Sequence, residues 1–204
     1  MNERNLLLVI SGPSGAGKGT ICKALVEKHP NNLQCSISAT SREVRPGEFV
    51  DKTYYYIGKN KFLENIENDQ FLEFAEVYGN YYGTLIEEVQ RLFKMKADVI
   101  LEIEMQGALQ IREKSEDAVL IFIMPPSFKE LRDRLLKRNR DIKEDIQNRL
   151  NKVTSELKYI KDYDYIVVND RLEDAVAKIE AIIIAEKCKM DEKTLDIGTF
   201  IKDI

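Results

Sequence analysis

LLLVISGPSGAGKGT, residues 6–20, joins a short apolar run to a glycine-rich loop at the start of a helical stretch. The run at residues 6–10 is typical of a strand buried on both faces of a parallel sheet. Glycines let the loop turn so that several backbone N–H groups face one centre, and the helix adds the partial positive charge of its N-terminus. Strand, loop and helix in this order predict a phosphate-binding loop (P-loop) in an α/β protein.

The loop predicts binding of a nucleoside triphosphate, because Lys18 supplies a mobile charge for the β- and γ-phosphates. The general pattern has Ser or Thr directly after the lysine, where the hydroxyl ligates Mg²⁺. Gly19 stands there instead and Thr20 follows, so we expect Thr20 to contact the metal directly or through water. The residues expected in the loop are Gly12, Pro13, Ser14, Gly15, Ala16, Gly17, Lys18, Gly19 and Thr20.

Three further short apolar runs, rich in Val, Ile and Leu, occur at residues 99–103, 119–124 and 165–168. Longer stretches with helical spacing separate the runs. Strand followed by helix, repeated along the chain, predicts a doubly wound α/β fold around a parallel sheet. The predicted helical stretches are residues 18–28, 85–96, 106–114, 128–137, 145–161 and 172–187.

Two regions interrupt this alternation. Residues 36–84 contain scattered glycines and aromatic residues, and an alternating stretch at residues 33–37 leads into them, so we expect an insertion with strands of its own. Residues 128–157 are rich in arginine and form a second, charged excursion. Neither has a linker-like tract, so we expect one domain whose core is about residues 1–35, 85–127 and 158–204. A small core in the insertion is expected from Tyr55, Phe62, Phe71 and Phe74.

The composition restricts the partners of the chain. Its formal net charge is −4, and an acidic chain is a poor general binder of nucleic acid polymers, which are held through many phosphate contacts. No apolar run reaches the roughly 18 residues of a membrane span, and the N-terminus lacks the plan of a signal peptide. Three well-separated cysteines form no metal or disulfide pattern. We expect a cytoplasmic protein with small-molecule substrates; monomer and homo-oligomer both stay open.

A second anionic substrate is indicated within residues 36–84. Arg42 and Arg45 lie three apart on a loop after a strand and can clamp one phosphate through bidentate hydrogen bonds. Glu73 can accept from the adjacent N1 and N2 donors of guanine, which adenine lacks. A hydroxyl such as Ser38 or Thr84 can donate to guanine O6, where adenine carries an amino group. Such polar mismatches discriminate strongly between bases.

With these residues in place, the sequence resembles the guanylate kinase family over about residues 6–187. The matching blocks are residues 12–20, 38–48, 71–84, 101–108 and 169–170. The resemblance implies a P-loop NTPase-type three-layer α/β fold with a central parallel sheet, an inserted GMP-binding subdomain at about 36–84 and a helical lid at about 128–157. It implies Mg²⁺-dependent phosphoryl transfer from ATP to GMP, and to dGMP, giving GDP and ADP.

The resemblance also implies roles for individual residues. The positions that match ligands of the GMP phosphate are Arg42, Arg45, Tyr54 and Tyr82. Those that match guanine-contacting residues are Ser38, Glu73, Thr84 and Glu104. ATP is assigned to the loop residues named above and to Arg134, and the catalytic positions are Lys18, Arg42, Arg138 and Arg149. The Mg²⁺ positions are Thr20 and, through water, Glu102.

The sequence departs from the family pattern at two places. Both acids of the 102–104 segment are Glu, where the family usually has Asp at the second position, so which one contacts metal and which base stays open. The usual lid Arg-Gly-Thr is Arg138-Asn139-Arg140, and Arg140 is read as part of a solvated helix face. His29 is read as a cap at the end of the first helix.

Two alternatives stand beside the kinase reading. The Gly-Lys-Gly-Thr form of the loop is also found in adenylate kinases, so a different nucleoside monophosphate kinase is possible on the loop alone. A protein-binding scaffold domain of the same fold is the other, since fold alone does not fix function. The guanine-matching residues disfavour the first and the intact loop disfavours the second.

Overall fold

The computed structural model describes residues 4–77, 79–138, 153 and 157–189, with the backbone alone at 137 and 138. Its larger sheet has five parallel strands in the order β2-β7-β1-β8-β9. These strands are β1 Leu7–Ser11, β2 Leu33–Cys35, β7 Asp98–Glu102, β8 Val119–Met124 and β9 Tyr165–Val168. The strand that precedes the phosphate loop is therefore the central one, and the loop leaves its carboxyl end, where α/β proteins bind ligands.

Helices cover both faces of the parallel sheet, because successive side chains of a strand point to opposite faces. On one face Leu8 and Ile10 pack with α1 (Lys18–Lys28) and α6 (Leu172–Lys187). On the other face Val9 packs with α3 (Ile86–Lys94) and α4 (Met105–Lys114). The inner strands β1, β7 and β8 are buried on both sides, as their continuous apolar runs predict. The edge strand β9 is not, because Ile166 and Val168 are exposed.

A second sheet of four strands, in the order β4-β3-β6-β5, follows β2. Its strands are β3 Ala39–Thr40, β4 Tyr55–Tyr56, β5 Phe71–Val77 and β6 Asn80–Leu85, and α2 is Gly58–Glu67. Phe62 and Phe71 stack with ring centroids 4.3 Å apart in an apolar cluster of its own. The expectation of a small aromatic core is confirmed, with Tyr55 and Phe74 at its partly buried edge.

Residues 33–35, at the end of the first expected core segment, form the outer strand of the parallel sheet, with Leu33 opposite Asp98. Two helices differ from the sequence-based expectations. Helix α2 was not predicted, because in the described chain it buries one apolar side chain, Phe62, and so lacks a clear apolar stripe. Of the helix expected at 145–161, the described end, Leu157–Asp162, is a 3-10 helix, and most of the remainder lies outside the described residues.

α5 spans Phe128–Arg138, one residue longer than the helical stretch expected at 128–137. Its buried Leu131 and Leu135 form a small cluster with Val153. Among the helices within residues 4–77, 79–138 and 157–189, none combines the length and apolar character needed to cross a membrane.

Candidate active site

The phosphate loop is shaped by glycines in conformations that other residues rarely adopt. Gly12 has φ +141°, and a Cβ there would lie 2.3 Å from the carbonyl oxygen of Ile123 in β8. Gly17 has φ +93° and is the N-cap of α1 without a side-chain hydrogen bond. The first N–H groups of a helix have no intrahelical partners, so those of α1 are directed into the loop, where the helix dipole favours an anion.

Lys18 lies inside this loop. Its Nζ donates to the carbonyl of Gly12 at 2.6 Å and reaches that of Pro13 at 3.5 Å. The residue is only 9% exposed, so its charge is held at the centre of the loop rather than in bulk solvent. A cation in this position suits a terminal phosphate.

Asn169 supports the loop from behind, a role that sequence reasoning missed. Its Nδ2 donates to the carbonyl of Ala16 at 2.7 Å, and a Cβ on Gly17 would lie 2.4 Å from the same nitrogen. Its carbonyl accepts from Nη2 of Arg134 at 3.1 Å. Asn169 directly follows β9; its place at the carboxyl edge of the sheet and in the matching block 169–170 were the available signals. It ties the loop to α5.

α5 lies over the phosphate loop. A Cβ on Gly15 would be 3.1 Å from side-chain atoms of both Leu131 and Leu135. Arg134 is fixed by Nε donation to Glu130 at 2.9 Å as well as by its bond to Asn169. The side chain of Arg138, and Arg140 and Arg149, lie outside the described residues.

Glu102 stands at the end of β7, directly beside the loop. A Cβ on Gly19 would lie 3.2 Å from each carboxylate oxygen of Glu102. The carboxylate of Glu102 therefore lies where a side chain at position 19 would project. Thr20, in the first turn of α1, is exposed. Carboxylate, hydroxyl and phosphate oxygens are the ligands that Mg²⁺ prefers, with water completing its shell, so this corner of the loop fits that ion. Within the described residues, no group of three or more His, Cys, Asp or Glu side chains could hold a metal on its own.

Arg42 is the centre of an arginine and tyrosine cluster that faces the loop. Its Nε donates to the hydroxyl of Tyr82 at 3.0 Å, and its guanidinium carbon lies 5.0 Å from the ring centroid of Tyr54. Burial raises the pKa of Tyr54, which keeps its hydroxyl protonated as a donor. The positive charge and the donors are suited to a phosphate.

Glu48 is a further member of this cluster that sequence reasoning did not assign. Both of its carboxylate oxygens accept from Arg42, at 2.7 Å each, and Oε2 also accepts from the backbone N–H of Arg45 and the hydroxyl of Tyr56. The hydrogen bonds from Arg42 hold the pKa of Glu48 at about 2. Its spacing from Arg42 in one loop was the available signal, but the pairing depends on how that loop turns.

Glu73 is a buried carboxylate at the other side of the cleft. It is 3% exposed, and Thr84 Oγ1 donates to its Oε1 at 2.7 Å. Burial raises the pKa of Glu73 to about 7, while the hydrogen bonds from Thr84 lower it. Thr84 is fully buried, so its hydroxyl serves Glu73.

One cavity of about 670 Å³ joins these parts. The residues expected from the sequence that line it are Pro13, Ser14, Gly15, Gly17, Lys18, Gly19, Ser38, Arg42, Arg45, Tyr54, Glu73, Tyr82, Glu102 and Glu104. Those expected residues of the described chain that do not line it are Gly12, Ala16, Thr20, Thr84 and Arg134. Gly12, Ala16 and Thr84 shape the walls from behind.

His29 and the three cysteines have no assigned role in the candidate active site. His29 is the C-cap residue of α1, as expected, and its backbone N–H donates to the carbonyl of Leu25 at 3.0 Å. Its Nε2 also pairs with Glu180 of α6 at 2.5 Å, so the side chain joins two helices. Cys22, Cys35 and Cys188 are free thiols. The neighbouring Cys35 and burial raise the pKa of Cys22 well above its ordinary value.

A phosphate loop and a separate phosphate-clamping cluster that share one cavity are the arrangement of the P-loop nucleotide kinases, in which donor and acceptor meet directly. Comparisons with known proteins show which family of that class the chain belongs to. The guanylate kinase family model matches residues 4–186. A guanylate kinase of Clostridium perfringens, strain SM101, is 52% identical over 190 residues, covering 93% of this chain and 88% of that protein.

Two other relatives agree. A guanylate kinase of Caldanaerobacter subterraneus is 51% identical over 191 residues, 94% of this chain and 92% of that protein. A crystal structure of guanylate kinase from Anaplasma phagocytophilum matches with a TM-score of 0.75 and 32% identity, over 93% of this chain and 90% of that one. The chain belongs to the guanylate kinase family. The resemblance is thereby confirmed, and the adenylate kinase and scaffold alternatives are set aside.

Proposed function

We propose that the cavity aligns ATP with GMP for the phosphoryl transfer that defines guanylate kinases, giving ADP and GDP. The observation that carries this assignment is the single cavity with Lys18 at one side and Arg42 at the other. Phosphoryl transfer needs alignment and neutralisation of charge more than covalent chemistry by the protein. Two positively charged binding sites that line one cavity supply both the alignment and the neutralisation of charge.

The donor is assigned to the phosphate loop. The N–H groups at residues 12–20 and the Nζ of Lys18 bind the triphosphate, and Arg134, Arg138 and Arg149 add positive charge from α5 and the segment after it. Mg²⁺, when bound, neutralises phosphate charge; Glu102 would hold it or its waters, with the hydroxyl of Thr20 contributing. The position of Glu102 beside Gly19 supports giving the metal to this acid and leaving Glu104 for the base.

The acceptor phosphate is assigned to Arg42, Arg45, Tyr54 and Tyr82. Glu48 keeps the guanidinium of Arg42 in a fixed plane through its two short hydrogen bonds. An arginine that is already oriented loses less entropy when it binds phosphate. The phosphate oxygen of GMP is then presented to the γ-phosphorus of ATP.

The guanine ring is assigned to Glu73, Ser38 and Glu104. Ionised Glu73 accepts from N1–H and N2–H, and Thr84 acts through Glu73, because its hydroxyl donates to that carboxylate. The ribose needs no contact from these groups, so dGMP should also be accepted. We infer that residues 36–84 are the GMP-binding unit and the parallel sheet the core of a cytoplasmic enzyme; the lid expected at 128–157 lies mostly outside the described residues.

The direct test of this assignment is Lys18→Ala. We expect turnover to fall roughly 100-fold or more, because a charge that stabilises the transition state is lost, while the melting temperature stays near that of the parent. Lys23→Ala is the matched control, since Lys23 is an exposed lysine of the same helix, paired with Glu27 at 3.7 Å. Near-normal turnover of the Lys18→Ala protein would refute the role of the loop.

A further inference from the structure

Strand β5 contains an irregularity directly before the base-contacting residue. Phe71 pairs with Leu85 and Glu73 pairs with Thr84. These two pairs are therefore two positions apart in β5 but only one position apart in β6. Leu72 is therefore the extra residue of a β-bulge. Bulges bend a strand and change the direction of the side chains beside them. Here the side chain beside the bulge is Glu73, whose carboxylate is buried.

Helix α4 holds the backbone on both sides of Glu73. The side chain of Gln110 makes two hydrogen bonds with Phe74: Nε2 donates to its carbonyl at 2.7 Å, and Oε1 accepts from its N–H at 3.2 Å. Lys114 Nζ donates to the carbonyl of Leu72 at 2.8 Å. Because β5 is an edge strand, Gln110 supplies what a neighbouring strand would otherwise supply.

The carboxylate of Glu73 also packs against helix α4. A Cβ on Gly107 would lie 2.2 Å from Oε2 of Glu73, so the acid occupies the space that a larger residue would fill. Gly107 and Gln110 are three apart in α4 and therefore lie on one face of the helix. Bulge, glutamine and glycine together leave Glu73 little freedom to move.

We propose that Gln110 is a positioning residue for base recognition, which fixes the backbone at Phe74 so that the Glu73 carboxylate meets both guanine donors. Gln110 does not line the cavity as described, and it acts on the base only through β5. The inference rests on the proposed function, in which Glu73 reads guanine. Its physical basis is that two hydrogen bonds to a base edge require the acceptor at a defined distance and angle.

The test replaces Gln110 with Met, which has similar length but cannot make the two amide hydrogen bonds. Activity is measured with GMP and with IMP, which has N1–H but no 2-amino group. We expect KM for GMP to rise by roughly tenfold, the cost of about 1.4 kcal/mol in lost hydrogen bonding. We expect kcat to change much less and KM for IMP, which has only the N1–H contact to lose, to rise less than KM for GMP, so the preference for GMP over IMP falls.

Gln34→Met is the matched control, because Gln34 also donates from its amide to a backbone carbonyl, that of Pro30 at 2.6 Å, but outside the cavity. It should leave the preference for GMP unchanged. Lys114→Met removes the other backbone contact and should lower the preference as well, which keeps the proposal testable if Gln110→Met folds poorly. A lower melting temperature with an unchanged GMP:IMP preference in both variants would overturn the positioning role.

Glu73→Gln separates this inference from the function on which it rests. Loss of the GMP preference in Glu73→Gln but not in Gln110→Met or Lys114→Met would overturn the role of Gln110 alone. An unchanged preference in Glu73→Gln would overturn the assignment of Glu73 as the guanine reader. A parallel loss in Glu73→Gln and Gln110→Met would support both.

Discussion

Burial and hydrogen bonding act in opposite directions on the pKa of Glu73. Its carboxylate is 3% exposed, and burial raises its pKa to about 7 although Thr84 donates to it. Guanine N1–H and N2–H are donors and therefore prefer the ionised acid. A large share of Glu73 is therefore protonated near neutral pH, and in the proposed function binding of GMP has to favour loss of that proton.

This gives a prediction for pH dependence. With a pKa of about 7, Glu73 is ionised roughly one-tenth at pH 6 and roughly nine-tenths at pH 8. KM for GMP should therefore fall by somewhat less than tenfold across this range, from this group alone. Glu73→Gln should lack that component and retain only the part due to the phosphate of GMP, which titrates equally in both proteins. Steady-state kinetics with identical pH slopes in the two proteins would contradict the prediction.

Gly19 gives a second prediction at this scale. A Cβ there would lie 3.2 Å from both oxygens of Glu102, so Gly19→Ala should displace this exposed acid at little cost in stability. We expect turnover to fall and the Mg²⁺ concentration needed for half-maximal activity to rise several-fold, because the acid that we propose holds the metal or its waters is moved. Shortening the acid, in Gly19→Ala with Glu102→Asp, should restore part of the activity. A Gly19→Ala enzyme with the parent's Mg²⁺ dependence would contradict this account.

Among the elements, those with a strong local signal are the ones that sequence predicts well. α1 and α6 have the predicted bounds, residues 18–28 and 172–187. By contrast, β3 and β4 are two residues each. Their positions are fixed by pairing with residues far along the chain, which no local pattern reveals.

The aromatic core of the second sheet provides a prediction for an element. Phe62 of α2 is fully buried and stacks on Phe71. Phe62→Ala should lower the free energy of unfolding by about 3–5 kcal/mol, through lost burial and the cavity it leaves. KM for GMP should rise more than KM for ATP, because the sheet that carries Arg42 and Glu73 loses its support.

Urea unfolding and steady-state kinetics measure both effects. Phe49→Ala is the control, since Phe49 is 66% exposed in the same region and should change the free energy of unfolding by less than about 0.5 kcal/mol. Equal destabilisation by the two substitutions would show that the cluster around Phe62 does not support the second sheet.

At the scale of the whole molecule, polar contacts that the sequence could not reveal link the second sheet to helix α3. Glu88 in α3 is buried and accepts from the N–H of Ile37 and the hydroxyl of Tyr55. Glu88 therefore links Ile37, which precedes the second sheet, and Tyr55 of β4 to the helix that follows the last strand of that sheet. Burial and the hydrogen bond from Arg91 act on its pKa in opposite directions, and the net result is a lowered pKa, as expected of an acid kept ionised by its partners.

The candidate site shows the same limit of sequence reasoning. Motif residues such as Lys18 and Arg42 could be predicted, because loop chemistry and the family pattern both point to them. Glu48 contacts Arg42, Asn169 contacts Ala16 and Gln110 contacts Phe74, across 6, 153 and 36 positions of the chain. Their roles depend on the folded arrangement, since Glu, Asn and Gln are ordinary surface residues in a sequence.

In the proposed function of the whole molecule, one cavity pairs ATP with a guanine nucleotide. The most direct measurement is a coupled assay of ADP formation with ATP and each of GMP, dGMP, AMP and UMP. We expect the highest kcat/KM with GMP and measurable turnover with dGMP. We expect GMP to be preferred over AMP by roughly 1,000-fold or more, because a polar mismatch at a buried acid can discriminate this strongly. Turnover of AMP equal to or better than that of GMP would contradict it.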